Sequence, residues 1–312
     1  MTAIGVTTYG GPEALHEIDV PPEPLGASDV RIRVTAAAVN PTDTGVRSGL
    51  RDDRPAPLPP GAVPGMDAAG VVVEVGADVD TGIGPGDRVM AIVLPSGPHG
   101  AYRSDLVVPA RSVVRVPAGA SDVEAATLPM NAMTARFALD SLQLPSGQVL
   151  AVTGAAGAFG GYVIQLAKAD GITVVADAAA KDRELVERLG ADVVLPRGEG
   201  FSEAVRERYP DGVDGLADGA VLNAAALPAV KDGGRMATVR GWDGGDRDRV
   251  TVVPVRVFAH ALEWEALDRL RLQVEEGVLT LRVADVLPAT QAGEAHRRLE
   301  AGGVRGRLVL QF

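Results

Sequence analysis

The stretch Val149-Leu-Ala-Val-Thr-Gly-Ala-Ala-Gly-Ala-Phe-Gly-Gly-Tyr-Val-Ile-Gln-Leu-Ala-Lys168 decides how the chain folds. It opens with an apolar run, Val149 to Val152, that reads as a strand buried on both faces. The chain then turns through Gly154, Gly157 and Gly160, and Tyr162, Val163, Leu166 and Ala167 recur at helical spacing. Gly171 stops that helix, and Ile172 to Ala176 start a second strand. A strand, a turn, a helix and a strand of this length make one parallel crossover.

Each glycine in such a turn has its own task. One permits the tight bend, one admits a pyrophosphate close to the backbone, and one lets the helix lie against the strand. The helix then presents unpaired N–H groups and a partial positive charge to the phosphates. This assigns Gly154, Ala155, Ala156, Gly157, Ala158, Phe159 and Gly160 to a dinucleotide. The spacing is Gly-x-x-Gly-x-x-Gly, with Ala155 where the usual fingerprint has its first glycine. A bare glycine pattern also fits a purely structural turn; the flanking strand and helix favour the dinucleotide.

Working outward, strands and helices alternate on the far side. Lys181 to Leu189 reads as a helix closed by Gly190, Val193 to Leu195 as a strand, and Phe201 to Tyr209 as a charged helix. Leu216 to Leu222 and Gly234 to Val239 read as further strands. The alternation indicates a doubly wound parallel sheet. On the near side, Ser121 with Glu124 marks a helix start, and helical stretches follow to Leu142, broken at Pro129.

Residues 1 to about 119 have another character. Val30 to Thr35 alternates apolar and polar residues; Gly70 to Val75, Arg88 to Val93, Leu106 to Pro109 and Val113 to Val116 read as short strands. These suggest a small barrel-like β domain. Arg51 to Pro64, with Pro55, Pro57, Pro59 and Pro60 inside it, reads as an irregular loop. The tail, with helices over Leu262 to Glu276 and Ala289 to Ala301 and a last strand from Arg307, returns to the first style.

Composition narrows the function. The 312 residues carry a net charge of −11, which argues against nucleic acid and anionic membranes as partners. There is no cysteine, so disulfides, thiolate metal sites and cysteine nucleophiles are absent, as suits a cytoplasmic protein. No apolar run is long enough to span a bilayer, and the first residues lack the basic start and apolar core of a secretory signal.

The chain as a whole resembles the zinc-independent quinone oxidoreductase (zeta-crystallin-like) branch of the medium-chain dehydrogenase/reductase superfamily. The resemblance rests on Ala36-Ala-Ala-Val-Asn-Pro-Thr-Asp43 with Arg47-Ser-Gly49, on Pro64-Gly-Met-Asp-Ala-Ala-Gly-Val-Val72, and on Gly84-Pro-Gly-Asp-Arg-Val89. Gly100-Ala-Tyr102, Thr127 to Ala135, the Gly154 to Gly160 turn, Gly233-Gly-Arg235 and Gly306 to Leu310 continue it in order. It implies a GroES-like β domain, residues 1–120 and 258–312, around a Rossmann domain, residues 121–257, with the active cleft between them. It implies hydride transfer from a nicotinamide to a quinone or α,β-unsaturated carbonyl, and a homodimer built on an edge strand, Gly234 to Val239 or Val250 to Val257. An enoyl-thioester or secondary-metabolite ketone reductase is a second reading. A nucleotide-sensing or RNA-associated protein with little turnover is a third, which the acidity disfavours.

The resemblance also places residues. Asn40 and Asp43 fall in the turn that relatives set near the nicotinamide. They would orient substrate or stabilise an enolate-like oxygen, or else merely cap the turn. Relatives often carry a tyrosine two residues after the aspartate, proposed as proton donor; here that place is Gly45, so this donor is lost and water becomes a candidate source. Tyr102 is a weaker donor candidate. Thr134 matches a position that approaches the nicotinamide. Val239, Arg240 and Gly241 follow a strand at the edge where the crevice belongs. Met66-Asp67 stands where zinc-dependent relatives have Gly-His-Glu, and His16, His99, His260 and His296 lie scattered, so no metal is expected.

Asp177 bears on cofactor choice. It lies about 20 residues after the glycine turn, where an acidic residue holds the ribose hydroxyls of NADH and repels a 2′-phosphate. A cap on the following helix is its alternative role. Lys181 or Arg183 would reach a phosphate. The family mostly uses NADPH, which is the expected cofactor, with NADH as rival.

Overall fold

The structure, a computed structural model, describes residues 1–51, 54–55, 61–245 and 249–312. Most of the expected loop between Arg51 and Pro64 therefore lies outside the described residues. After a hairpin of Thr2–Gly5 with His16–Asp19, the elements run β1 (Asp29–Ala38), α1 (Pro41–Ser48), β2 (Asp67–Val75), β3 (Arg88–Ile92), β4 (Asp105–Pro109) and β5 (Val113–Arg115). Then come α2 (Pro129–Leu142), β6 (Val149–Thr153), α3 (Ala158–Ala169), β7 (Thr173–Ala178), α4 (Arg183–Arg188), β8 (Val193–Pro196) and α5 (Phe201–Arg208). The last are β9 (Val213–Asp218), β10 (Val230–Thr238), β11 (Thr251–Pro254), α6 (Trp264–Glu275), β12 (Val283–Pro288), α7 (Ala292–Ala301) and β13 (Arg307–Gln311).

The chain divides into two compact units. One holds residues 1–130, 258–276 and 281–312; the other holds 131–257 and 277–280. The first boundary falls at Met130, inside α2, ten residues beyond the expected edge at 120. The turn Asp122–Ala125 belongs with the first unit because Asp122 accepts bonds from Thr35 and from Arg88.

The first unit is built around β1. Val30, Ile32 and Val34 point into a core while Arg31 and Arg33 face out, as the alternation requires. From Ala36 both faces are covered. Here β1 pairs antiparallel with β13 on one side and β2 on the other, and only alanines line it. The strand order is β12-β13-β1-β2-β3-β5, with β4 also on β1.

The second unit is a parallel sheet of order β8-β7-β6-β9-β10-β11. The order reverses between β6 and β9, the switch point where such sheets bind ligands beyond the strands' carboxyl ends. Leu150, Ala151 and Val152 of β6 and Val174, Val175 and Ala176 of β7 are wholly buried, which accounts for their unbroken apolar sequence. One sequence expectation needs trimming. Leu216 to Leu222 leaves the strand after Asp218, where Val221 and Asn223 turn with positive φ. Among the described residues no helix is long and apolar enough to cross a membrane.

Candidate functional site

The turn between β6 and α3 shows what each glycine does. Gly154 has φ +66°, and a Cβ there would stand 2.8 Å from the Gly219 carbonyl carbon. Gly157 is the N-cap of α3, and its N–H donates to the Gly154 oxygen at 2.9 Å. A Cβ on Gly160 would lie 2.5 Å from that same oxygen and 2.7 Å from the Ala155 Cα. Gly160 is therefore what lets α3 lie on the turn. The first-turn amides of Ala158, Phe159 and Gly160 have no carbonyl within the helix to bond, and the helix dipole points positive at them. The Phe159 ring packs on Gly219, just past β9.

Asp177, near the end of β7, is 3% exposed, and its Oδ1 accepts the Ala155 N–H at 2.9 Å. Burial raises its pKa; the Ala155 and Gly154 amides and the nearby Arg197 charge pull the other way. The carboxylate thus ties β7 to the turn, a role neither sequence reading anticipated. Lys181 and Arg197 are exposed on the same edge. Arg183 is committed elsewhere, to the Val194 oxygen at 2.9 Å and to Glu187. Deeper in, Thr153 donates to Asp218 at 2.6 Å, and Asp218 accepts the Leu222 and Asn223 amides. Val239, Arg240 and Gly241 follow β10 directly, with Arg240 exposed at φ +66°. Because the sheet is parallel, the glycine turn, Asp177, Lys181 and the Val239–Gly241 segment all sit at one edge. These residues fit a nicotinamide dinucleotide: an amide-lined cradle only glycine permits, with cations beside it. Thr134 is half-buried on α2 of this unit.

In the first unit, Asn40 is the N-cap of α1 and Asp43 its third residue, with the reciprocal bonds of a capping box. The Asn40 N–H donates to Asp43 Oδ2 at 2.8 Å, the Gly65 N–H donates to Oδ1 at 3.0 Å, and the Tyr102 hydroxyl donates to Oδ2 at 3.1 Å. Asp43 is completely buried, and burial lifts its pKa to about 7 against the pull of those three donors. Asn40 Nδ2 donates to Asp67 Oδ2 at 2.6 Å, and the Met130 N–H donates to Asp67 Oδ1 at 2.7 Å. Burial lifts Asp67 as well, to about 6. On its other side Tyr102 meets His296 Nε2 at 3.2 Å, and Arg47 Nη1 meets His296 Nδ1 at 3.4 Å. Burial first, and the Arg47 charge second, push the His296 pKa down to about 3.

The structure brings Asn40 and Asp43 together as the capping pair and surrounds them with Asp67, Arg47 and His296, to which the sequence assigns no role, and with Tyr102, which it offers only as a weaker proton donor. In the sequence Asp67 stands in the replaced zinc element, His296 is one of four scattered histidines, and Arg47 belongs to the motif that follows Asp43. Tyr102 is 59 residues from Asp43 and 194 from His296, a separation that no local pattern reports.

Asp67 does not fit a zinc ion. Both its oxygens already accept short bonds, the chain has no cysteine, and among the described residues no group of three His, Cys, Asp or Glu side chains is placed to hold a metal.

Comparison with known proteins agrees with this geometry. Residues 26–118 match the family described as alcohol dehydrogenase GroES-like domain, and residues 189–310 match the family described as zinc-binding dehydrogenase. The chain is 31% identical to the 2-methylene-furan-3-one reductase of Solanum lycopersicum, over 99% of this chain and 79% of that protein. It is 28% identical to the chloroplast envelope quinone oxidoreductase homolog of Arabidopsis thaliana, over 100% and 98% of the two. A mycobacterial protein solved in complex with NADPH superposes with a TM-score of 0.87 at 29% identity, covering all of both chains. The zinc named in one family description finds no ligand set among the described residues, while the Gly154–Gly160 cradle keeps its form. The chain belongs to the medium-chain dehydrogenase/reductase superfamily, among the oxidoreductases of its quinone and enone reductase branch.

Proposed function

We propose that the protein reduces the activated double bond of an α,β-unsaturated carbonyl compound, or a quinone, with NADPH. The observation that carries this is the Gly154–Gly160 turn at the switch point of the parallel sheet, closed to any larger residue at Gly160. The reductase relatives support the choice of acceptor.

The dinucleotide supplies the hydride, which goes to the electron-poor carbon of the acceptor. The amides at the start of α3 hold the two linked phosphates, and Asp177 keeps the Ala155 amide and its turn in place for them. Lys181 and Arg197 neutralise the 2′-phosphate, which favours NADPH over NADH. The Val239–Gly241 backbone and Thr134 position the nicotinamide. Asn40 and Asp43 act by fixing the start of α1, which holds the acceptor's oxygen in place. Gly45 offers no hydroxyl, so water protonates the reduced carbon. Two copies pair through β11, which among the described residues has a neighbour strand on one side only.

Titration with NADPH and with NADH, followed by oxidation assays against a panel of enones and quinones, tests the proposal. Saturable NADPH binding with turnover of a panel member is expected. Binding without turnover of any acceptor would remove the reductase reading.

A further inference from the structure

The hydrogen bonds around His296 have a direction. Arg47 is a pure donor, so the His296 Nδ1 that faces it must accept, and the ring carries its proton on Nε2. That Nε2–H therefore donates to the Tyr102 oxygen, and the Tyr102 hydroxyl donates to Asp43 Oδ2. The ring planes of Tyr102 and His296 meet at 74°, edge to face. Arg47 is held from its other side by Glu300 of α7 at 2.6 Å and by the Gly10 oxygen at 3.2 Å. The chain is thus Glu300, Arg47, His296, Tyr102, Asp43; Arg47 donates outward to Glu300, and from Arg47 inward every proton points toward Asp43. It spans from the half-exposed Glu300 to a carboxylate that water does not reach.

This arrangement is consistent only while Asp43 is ionised. Its remaining contacts, the Asn40 and Gly65 amides, are donors too. A proton added to Asp43 must be donated to something, and of the three groups that bond its carboxyl only the Tyr102 oxygen can accept. The Tyr102 proton then has nowhere to go but His296 Nε2, which is already protonated. The ring would need the other tautomer, with its proton on Nδ1, and that proton would confront the Arg47 guanidinium. Arg47 cannot yield a proton. One of the contacts must break.

We propose that Glu300, Arg47, His296, Tyr102 and Asp43 form a proton-operated latch between α1 and α7, closed while Asp43 is ionised and released at the Arg47–His296 contact when Asp43 takes up a proton. The other charged groups around the chain bear on its set point. Asp67 raises the affinity of Asp43 for a proton, and Arg307 acts on both Tyr102 and Asp67. Asp43 protonates with a midpoint of about 7, so the latch works near neutrality. Since α1 begins at the Asn40–Asp43 cap, its release loosens the segment to which the proposed function assigns the acceptor. The latch itself is a property of the first unit and is read without any substrate.

The test is a pH titration of the full chain by side-chain NMR, following the ring nitrogens of His296 and the carboxyl carbon of Asp43. H296Q identifies the His296 signal among the four histidines. In the wild type, Nδ1 reads as an unprotonated acceptor above neutrality, and its signal shifts with the same midpoint as Asp43. In Y102F the ring stays but the hydroxyl is lost, so His296 no longer follows Asp43. In D43N, a permanently neutral cap, His296 shows the released state at all pH; should D43N not fold, Y102F decides alone. A His296 signal that stays constant while Asp43 titrates would overturn the latch. So would a shift that persists unchanged in Y102F, or an Nδ1-protonated ring above neutrality.

Discussion

The two units hold their key carboxylates with similar bonds but continue them differently. In the parallel sheet, Asp177 and Asp218 take up backbone amides and a hydroxyl within their own βαβ framework, beside a turn whose shape glycine dictates. In the first unit, Asp43 and Asp67 also take amides, but their side-chain partners come from Asn40, Tyr102 and, beyond it, α7 near the end of the chain. The first set is held mostly by backbone. The second continues through side chains to α7, and burial raises its carboxylates into a range where cells operate. A backbone cradle suits a cofactor whose phosphates never change. A side-chain network suits a segment whose state can change with a proton.

Four experiments would break or sharpen this contrast. The largest effect is expected from D67A. It leaves two buried donors, Asn40 Nδ2 and the Met130 N–H, without an acceptor, each worth about 1–3 kcal/mol, so denaturant unfolding should show a loss of about 2–6 kcal/mol. Stability within about 0.5 kcal/mol of the wild type would mean that the network does not hold the unit together.

Next comes G160V. The added carbons meet the Gly154 oxygen and the Ala155 Cα, and overpacking of about 1–3 kcal/mol should weaken dinucleotide binding about 10- to 100-fold in calorimetry. Undiminished affinity would show that the cradle tolerates a side chain.

The third is a pH effect with opposing signs. Asp43 and Asp67 bind protons more tightly folded than unfolded, so each makes stability fall as pH rises, from about 4 up to about 7 and about 6 respectively. His296, lowered to about 3, binds protons less tightly when folded, so it makes stability fall as pH drops from its unfolded value toward 3. Between about pH 4 and 6 the histidine offsets one carboxylate. H296Q removes that offset, and thermal melts across this window should lose stability with rising pH more steeply, by up to about 1.4 kcal/mol per pH unit. An unchanged slope would place the histidine outside the linkage.

The smallest effect is expected at the exposed cations. K181A should weaken NADPH by about fivefold, near 1 kcal/mol, and leave NADH alone. Equal losses for both would separate Lys181 from the 2′-phosphate.

The same contrast explains what the amino-acid order revealed. The glycine turn was legible because its strand, bend and helix are contiguous, and each glycine answers a steric demand within a few residues. The parallel sheet followed from the same periodicity. Asn40 and Asp43 were legible as a capping pair, since a capping box spans four residues. Asp177 was noticed for its position, but its bond to Ala155 depends on two strands lying side by side. Asp67, Tyr102, Arg47 and His296 gave no local signal. A lone histidine in an amphipathic helix looks the same whether it faces water or a buried tyrosine.

The central claim is that the bend at Gly154–Gly160 receives the linked phosphates of a nicotinamide dinucleotide. It is tested most directly by paired calorimetric titrations of the wild-type protein with NADPH and NADH. The account predicts saturable binding of both, with NADPH the tighter. No heat of binding for either at millimolar cofactor would contradict it.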